Sequence, residues 1–300
     1  MTIRYAPPRQ PGTSRPDTPR RGHAVYATQL NVGILLLTSV VAFSLLAPVL
    51  APADPLAQQL DAIYQPPDRQ HLLGTDDVGR DVFSRILYGG RELFAVAATA
   101  TLIAAVLGLV LGLATGLGPR WFDIAVSRIA EIQLAIPSIL LALVILSIDS
   151  GSQLALLAVL ISSGWVLTFR IVRGHTKQVL GKPYIEAARL NGAGPLMIVH
   201  IHLSRSVLPL FAVSTTITAA GIAALATNLG FLGLGVHPPQ PEWGQMVADG
   251  QATLGQSPWA SLAPGAVLVI TLVSLQLIGD GLASRWDRGR TAAEYEQDPS

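Results

Sequence analysis

The sequence has no cysteine and very little charge. The lack of cysteine excludes disulfide bonds, thiolate metal sites and a cysteine nucleophile. The 20 Lys and Arg and the 19 Asp and Glu make up 13% of the 300 residues, whereas about 25% is usual in a soluble domain. With a mean hydropathy of +0.48, the composition argues against a soluble enzyme and favours a membrane protein. The net charge of +1 gives no indication of a nucleic-acid partner.

Catalytic and phosphate-binding motifs are also missing. The one Gly-Lys pair, Gly181 and Lys182, is followed by Pro183 and so does not form a G-x-x-x-x-G-K-[ST] phosphate loop. Neither H-E-x-x-H nor G-x-S-x-G occurs. His200 and His202 are two residues apart and would face different ways on a helix, which makes a poor metal pair. We expect a chain with no catalytic residues, no cofactor and no metal of its own.

Charged residues are absent from six long stretches. A membrane-spanning helix needs roughly 20 mostly apolar residues, and buried soluble helices rarely provide six such stretches in one chain. The sequence therefore predicts an all-α polytopic membrane protein with six transmembrane helices. Their expected positions are 30–50, 93–117, 129–148, 153–173, 207–229 and 261–281.

The distribution of basic residues predicts the orientation. If the N-terminus is inside, 16 of the 20 Lys and Arg lie in cytoplasmic segments, as the positive-inside rule requires. We expect both termini in the cytoplasm, with a disordered tail at 1–29 and a second tail at 284–300. The first apolar run, about 21 residues long, exceeds the 7–15 of a cleavable signal, so an uncleaved anchor is favoured over a cleaved signal.

Residues 51–92 form the predicted extracytoplasmic segment. Its three Asp near 76–81 lack the alternation of an EF-hand, because Val78 and Arg80 occupy ligand positions. Val82, Phe83, Ile86 and Leu87 share one helical face, which predicts a short amphipathic helix at the outer interface. A structural elbow is favoured there over a ligand site.

Two features within the spans predict local structure. Gly108, Gly112 and Gly116 form a smooth stripe that allows a close helix approach, either within this chain or to a partner subunit. Pro137 is expected to kink the third span. Glu131 is interpreted as a boundary or packing residue, with a place in a translocation route as the alternative.

The cytoplasmic loop at 174–205 is the most informative segment. Pro183 suits the first position of a helix and Gly192 suits a left-handed stop. The helix between them has roughly two turns, too few for stability without docking on a partner. Ala187 and Ala188 would let a partner approach the backbone, and Glu186 could pair with a basic group.

This loop resembles the "EAA" loop of ABC importer permeases. The residues that carry the resemblance are Tyr184, Glu186, Ala187, Ala188, Arg189, Gly192 and Ala193. In that family the loop is a coupling helix that seats in a groove of the ATPase subunit. His202 matches the family's exit from the loop, whereas Arg205 stands where the family has Pro.

Three further segments are similar to the C-type permease of dipeptide, oligopeptide and nickel importers. They are the segment 74–81, the segments 231–235 and 242–244, and the start and end of the sixth span at 257–259 and 278–282. The resemblance implies the MetI-like fold of type I importers, with a permease core at 93–283. It also suggests that Glu242, Trp243 and Trp259 dock a solute-binding protein, although membrane anchoring by the tryptophans is the simpler interpretation.

The resemblance implies a complete assembly in the bacterial inner membrane. Its members would be this chain, a homologous B-type permease, one or two ATP-binding subunits that hold ATP and magnesium, a substrate-binding protein outside and the surrounding lipid. The expected cargo is a peptide, with nickel or another small solute as the alternative. A stand-alone secondary transporter is the rival class, but the halves show no convincing internal repeat.

Overall fold

The computed structural model describes the backbone of residues 20–149, 152–236 and 239–297, and side chains between 28 and 286 within those ranges. Residues 1–19 of the predicted disordered tail lie outside the described residues. The described residues form α-helices joined by turns and by a longer irregular segment at 51–81, which contains a 3₁₀ turn at Leu60–Ala62 and an isolated β-bridge between Thr75 and Asp81. The helices are α1 (Arg20–Leu45), α2 (Ala47–Leu50), α3 (Val82–Leu117), α4 (Arg120–Ala135), α5 (Ser138–Ile148), α6 (Gln153–Leu180), α7 (Pro183–Leu190), α8 (Pro195–Ile198), α9 (Ser204–Phe231), α10 (Trp243–Gln251) and α11 (Pro258–Gln297).

The predicted membrane architecture is confirmed. Within the described ranges, five helices are long and apolar enough to cross a membrane, and α4 with α5 provides a sixth span if the bent pair counts as one. We call the end that carries residues 51–81 the outer end, following the charge prediction, and the end that carries α7 the inner end. The last helix runs on to Gln297, so the segment predicted as a tail from 284 is helical as far as that residue, while the apolar span ends at Trp286.

The third span is broken where Pro137 was expected to kink it. α4 and α5 meet at 88°, with Ile136 and Pro137 in extended backbone between them. Proline has no N–H and disfavours helical backbone in the residue before it, which explains the end of α4 at Ala135. The span also begins at Arg120, nine residues before the predicted start at 129.

A second difference concerns the start of the second span. The residues predicted as a separate amphipathic helix, beginning at Val82, are the first turns of the 36-residue helix α3. Asp81 caps that helix by accepting a hydrogen bond from the Ser84 amide at 2.7 Å. Arg85, which would otherwise mark an interfacial surface, is buried beside Asp76 and donates to the carbonyl of Pro55. The separate interfacial helix is therefore wrong.

The glycine stripe of α3 packs against α6 of the same chain. A β-carbon at Gly112 would lie 2.8 Å from the Val172 β-carbon, and one at Gly108 would lie 2.7 Å from the Trp165 carbonyl. Gly116 faces Thr176 in the same way. Such contacts are possible only without a side chain on α3. Of the two interpretations left open by the sequence, packing within this chain is the one observed.

The outer end is closed by a compact turn at residues 74–81. The Asp76 carboxylate accepts hydrogen bonds from the Val78 and Arg80 amides and from the Arg80 side chain, at 2.6–3.1 Å. The buried His71 imidazole lies 3.0 Å from the Asp81 carboxylate. The turn joins α11 through Trp259, whose indole donates to the Thr75 carbonyl at 3.2 Å. These contacts support the structural elbow predicted for this segment.

The inner end is held by an ion cluster between α4 and α6. Asp123, on the first turn of α4, accepts hydrogen bonds from both Arg173 and Lys177 of α6. Asp123 is buried and the two basic side chains are partly exposed. A bidentate guanidinium–carboxylate pair fixes direction as well as distance. The cluster therefore sets the position of the end of α6, from which α7 departs.

Candidate functional site

α7 is a short helix with well-defined ends. Pro183 occupies its first turn and is pre-set for helical backbone. At the other end, Gly192 has a φ of +86°, a left-handed conformation that a side chain would disfavour. The Ala193 amide donates to the Ala188 carbonyl at 3.0 Å, which closes the helix as a glycine stop does. The helix boundaries predicted from Pro183 and Gly192 are confirmed.

A fully buried side chain anchors α7 to the rest of the molecule. Ile185 is 0% exposed and packs into an apolar cluster at the inner end. The other members of the cluster come from α6, from α8 and the turn after it, and from the start of α9, namely Val172, Val179, Ile198, Leu203 and Val207. Burying an isoleucine contributes about 1.5–3 kcal/mol, so this anchor fixes α7 at the meeting point of two long helices.

The opposite face of α7 is open. Glu186 and Ala187 are exposed, and Leu190 is 86% exposed at the end of the helix. Arg189 is exposed as well, whereas Ala188 is half-buried. Within the described residues, neither Glu186 nor Arg189 makes an ion pair. The exposed residues of α7 thus combine a large apolar side chain, one charge of each sign and an alanine that permits close approach; of the charges, Glu186 lies on the open face and Arg189 on the side of Ile185.

The chain leaves α7 through a widened helical turn. Residues Val199–Leu203 form one π-helical turn between α8 and α9, and the His202 ring packs on Tyr184 with 5.7 Å between centroids. Arg205 is exposed in the first turn of α9 and does not interrupt the helix. Much of the segment 174–205, predicted as a loop, is therefore helical. A π turn has no simple sequence pattern, and for that reason it was missed.

The residues predicted to dock a partner at the outer end lie mostly inside the molecule. Trp243 is 1% exposed, donates to the Ile86 carbonyl at 2.8 Å and packs edge-to-face on Phe94. Glu242 is 5% exposed and lies against Gly230 and Gly235. Trp259 is half-buried, and its indole donates the hydrogen bond to the Thr75 carbonyl of the outer turn. Glu242 and Trp243 are thus buried within this chain, where Trp243 packs on α3 and Glu242 lies against the end of α9.

Comparison with known proteins agrees with this architecture. A family described as the inner membrane component of binding-protein-dependent transport systems matches residues 93–291. The dipeptide transport system permease protein DppC of Alkalihalophilus pseudofirmus is 36% identical over 257 residues, which cover 85% of this chain and 84% of the relative. The di/tripeptide permease protein DppC of Pseudomonas aeruginosa is 32% identical over 261 residues, with 85% and 86% covered.

A solved structure shows the same fold. An inward-facing form of the MetNI methionine ABC transporter superposes with a TM-score of 0.54 at 24% identity, covering 67% of this chain and 95% of the MetNI chain. The order of the helices and the family match to residues 93–291 support the same assignment. The chain therefore belongs to the family of inner membrane components of binding-protein-dependent transport systems, as the permease subunit of an ABC importer with the MetI-like fold.

Proposed function

We propose that this chain is the permease subunit of an ATP-driven peptide importer and that α7 is its contact with the ATPase. The observation that carries the proposal is the exposed face of α7, where Leu190 is 86% exposed on a helix too short to be stable without a partner. A large apolar side chain so exposed on an otherwise anchored helix is well suited to a partner's groove.

The assignment to peptides rests on the relatives. The permeases of Alkalihalophilus pseudofirmus and Pseudomonas aeruginosa are named for dipeptide and di/tripeptide transport. Each is matched over more than four fifths of its length, so the comparison concerns whole permeases.

The proposed assembly has no catalytic residue in this chain. ATP and magnesium are held by ATPase subunits, a second homologous permease completes the translocation path, and a substrate-binding protein delivers the cargo outside. The chain lies in the bacterial inner membrane with both termini in the cytoplasm, as its distribution of Lys and Arg predicts.

The packing of α7 supports a mechanism for coupling. An ATPase dimer that closes around ATP changes the distance between its two grooves, and a docked α7 follows its groove. Since Ile185 shares its apolar cluster with Val179 of α6 and with Val207 of α9, displacement of α7 reaches two spans at once. The docked helix shifts the permease between states only if it binds the closed ATPase and the open ATPase with different affinities.

Leu190→Asp tests the docking face. The substitution places a charge on the proposed contact without touching the Ile185 anchor. In the reconstituted complex we expect substrate-stimulated ATPase activity to fall at least tenfold, because burial of an unpaired carboxylate costs more than about 1.4 kcal/mol. The matched control is Leu60→Asp, which changes a leucine that is 70% exposed at the outer end. Equal coupling in both variants would contradict the proposal.

A double substitution tests the predicted coupling motif. Glu186→Lys with Gly192→Pro reverses a charge on α7 and removes its left-handed stop, so coupling should be lost while the subunit still inserts.

Uptake of labelled di- to pentapeptides by a deletion strain, with nickel as competitor, identifies the cargo. Peptide uptake that nickel leaves unchanged is the expected result, and competition by nickel alone would favour the other solute class.

A further inference from the structure

A lateral groove lies at the outer end of the bundle, between the first helix and α3. Its volume is about 620 Å³, within the 300–1,000 Å³ typical of small-molecule sites. One wall is apolar, and it consists of Val41 and Leu45 of α1 with Phe94 and Ala95 of α3. The mouth is polar and holds Tyr88, Arg91, Glu92 and Gln240. The groove thus joins an apolar wall to a polar rim.

The predicted start of the second span at residue 93 places the polar rim at the boundary of the membrane. Arg91 and Glu92 directly precede the uncharged stretch that begins at residue 93. A charge at that depth belongs to the headgroup layer, and the tyrosine ring beside it is typical of the same layer. The apolar wall therefore faces acyl chains, and the rim faces lipid headgroups.

The rim carries two opposite charges, Arg91 and Glu92. Within the described ranges, neither Arg91 nor Glu92 makes an ion pair. The Arg91 guanidinium lies over the Tyr88 ring, 5.8 Å from its centroid, and this contact orients it without neutralising it. A ligand that complements the rim carries one negative and one positive group close together.

We propose that the groove binds an aminophospholipid of the outer leaflet, with phosphatidylethanolamine as the matching headgroup. The phosphate would pair with Arg91 and the ammonium with Glu92, while an acyl chain lies on Val41, Leu45 and Phe94. A net anionic lipid such as phosphatidylglycerol satisfies Arg91 but leaves Glu92 facing a headgroup without a cation. The pair of charges therefore selects the zwitterionic lipid.

Lipid retained by the purified transporter tests the proposal. The full complex is extracted in mild detergent, and its bound phospholipids are quantified by mass spectrometry. We expect Arg91→Ala to lower retained phosphatidylethanolamine about fivefold. The control is Arg69→Ala, which removes an exposed outer arginine that does not line the groove and should leave retention unchanged.

A specificity change separates recognition from a general loss of structure. Glu92→Gln removes the partner of the ammonium, so the ratio of retained phosphatidylethanolamine to phosphatidylglycerol should fall. An unchanged ratio, or equal lipid loss in the Arg91 and Arg69 variants, would overturn the proposal. It would also be overturned if a photoreactive probe on Ala95→Cys labelled the second permease instead of lipid. The chain has no other cysteine to confuse that experiment.

Discussion

Glu242 is a carboxyl group closed into the outer end of the protein. One of its carboxylate oxygens has no hydrogen-bond partner among the described residues. Burial raises its pKa from 4.5 to about 8, and a hydrogen bond from the Val236 backbone only partly opposes this rise. A pKa of about 8 favours the protonated carboxyl group at neutral pH, which lowers the cost of its burial.

The pH dependence of stability should reveal this proton. The folded protein binds it more tightly than the unfolded chain does, so stability falls as the pH rises from about 4.5 to about 8 and levels off above that. Glu242→Gln removes this dependence. Relative to wild type, the variant should melt at least about 3 °C higher above pH 8 and at nearly the same temperature near pH 5.

The measurement is the fraction of complex that remains folded after heating, followed by size-exclusion chromatography from pH 5 to pH 9. Glu131→Gln serves as the control, because Glu131 is exposed and pairs with Arg128 on the surface of α4. That variant should show the same dependence of thermal stability on pH as the wild type. If Glu242→Gln keeps it too, the buried proton is not at Glu242.

At the scale of the element, the contact between α3 and α6 depends on missing side chains. Gly112→Ala would place a methyl group 2.8 Å from the Val172 β-carbon. Overpacking of this kind costs about 1–3 kcal/mol, which exceeds the gain of up to about 1 kcal/mol from replacing a helical glycine with alanine. We expect a lower melting temperature for the purified subunit.

Gly174→Ala is the matched control on α6, since a β-carbon at Gly174 has no neighbouring atom within 4 Å among the described residues. Replacing glycine with alanine changes the helix propensity there by the same amount, and the new methyl group meets no neighbouring atom. The control should therefore match or exceed wild-type stability. A destabilised Gly174→Ala together with an unaffected Gly112→Ala would show that the stripe does not set the helix spacing.

Elements with local signals could be predicted from the sequence, and those stabilised by distant partners could not. α7 was located from Pro183 and Gly192, because these residues act on their own backbone. The early start of α4 was missed because charged residues, Asp123 among them, interrupt the sequence before the predicted start at 129. Asp123 is buried in the structure by Arg173 and Lys177, which lie 50 and 54 residues further along the chain.

The same reason explains the errors at the outer end. Arg85 lies inside the protein because it pairs with Asp76 and donates a hydrogen bond to the Pro55 carbonyl. The helix that begins at Val82 therefore continues without a break. Trp243 was read as an interfacial ring, yet the Ile86 carbonyl satisfies its indole in the interior. Amphipathic patterns indicate where a side chain could lie, and tertiary partners decide where it does.

At the scale of the whole molecule, the charges predict one orientation. Protease-cleavable tags placed at 180 and 295 should be accessible only from the cytoplasm, and a tag at 60 only from outside. Accessibility is measured in intact cells and in inverted vesicles of the same strain. Cleavage of the tag at 60 from the cytoplasmic side would reverse the assignment of the two ends and, with it, the proposed role of α7.

The unbroken length of α3 has a mechanical consequence. Its 36 residues extend about 54 Å at 1.5 Å per residue, well beyond the roughly 30 Å of the hydrocarbon layer. Its outer first turns carry the buried Arg85, and its inner half lies against α6. A stiff rod of about 54 Å converts a tilt of about 5° at one end into a shift of about 5 Å at the other. The surface at the outer end would thereby move with the helix end at the inner end, and no chain of small side-chain rearrangements is needed between them.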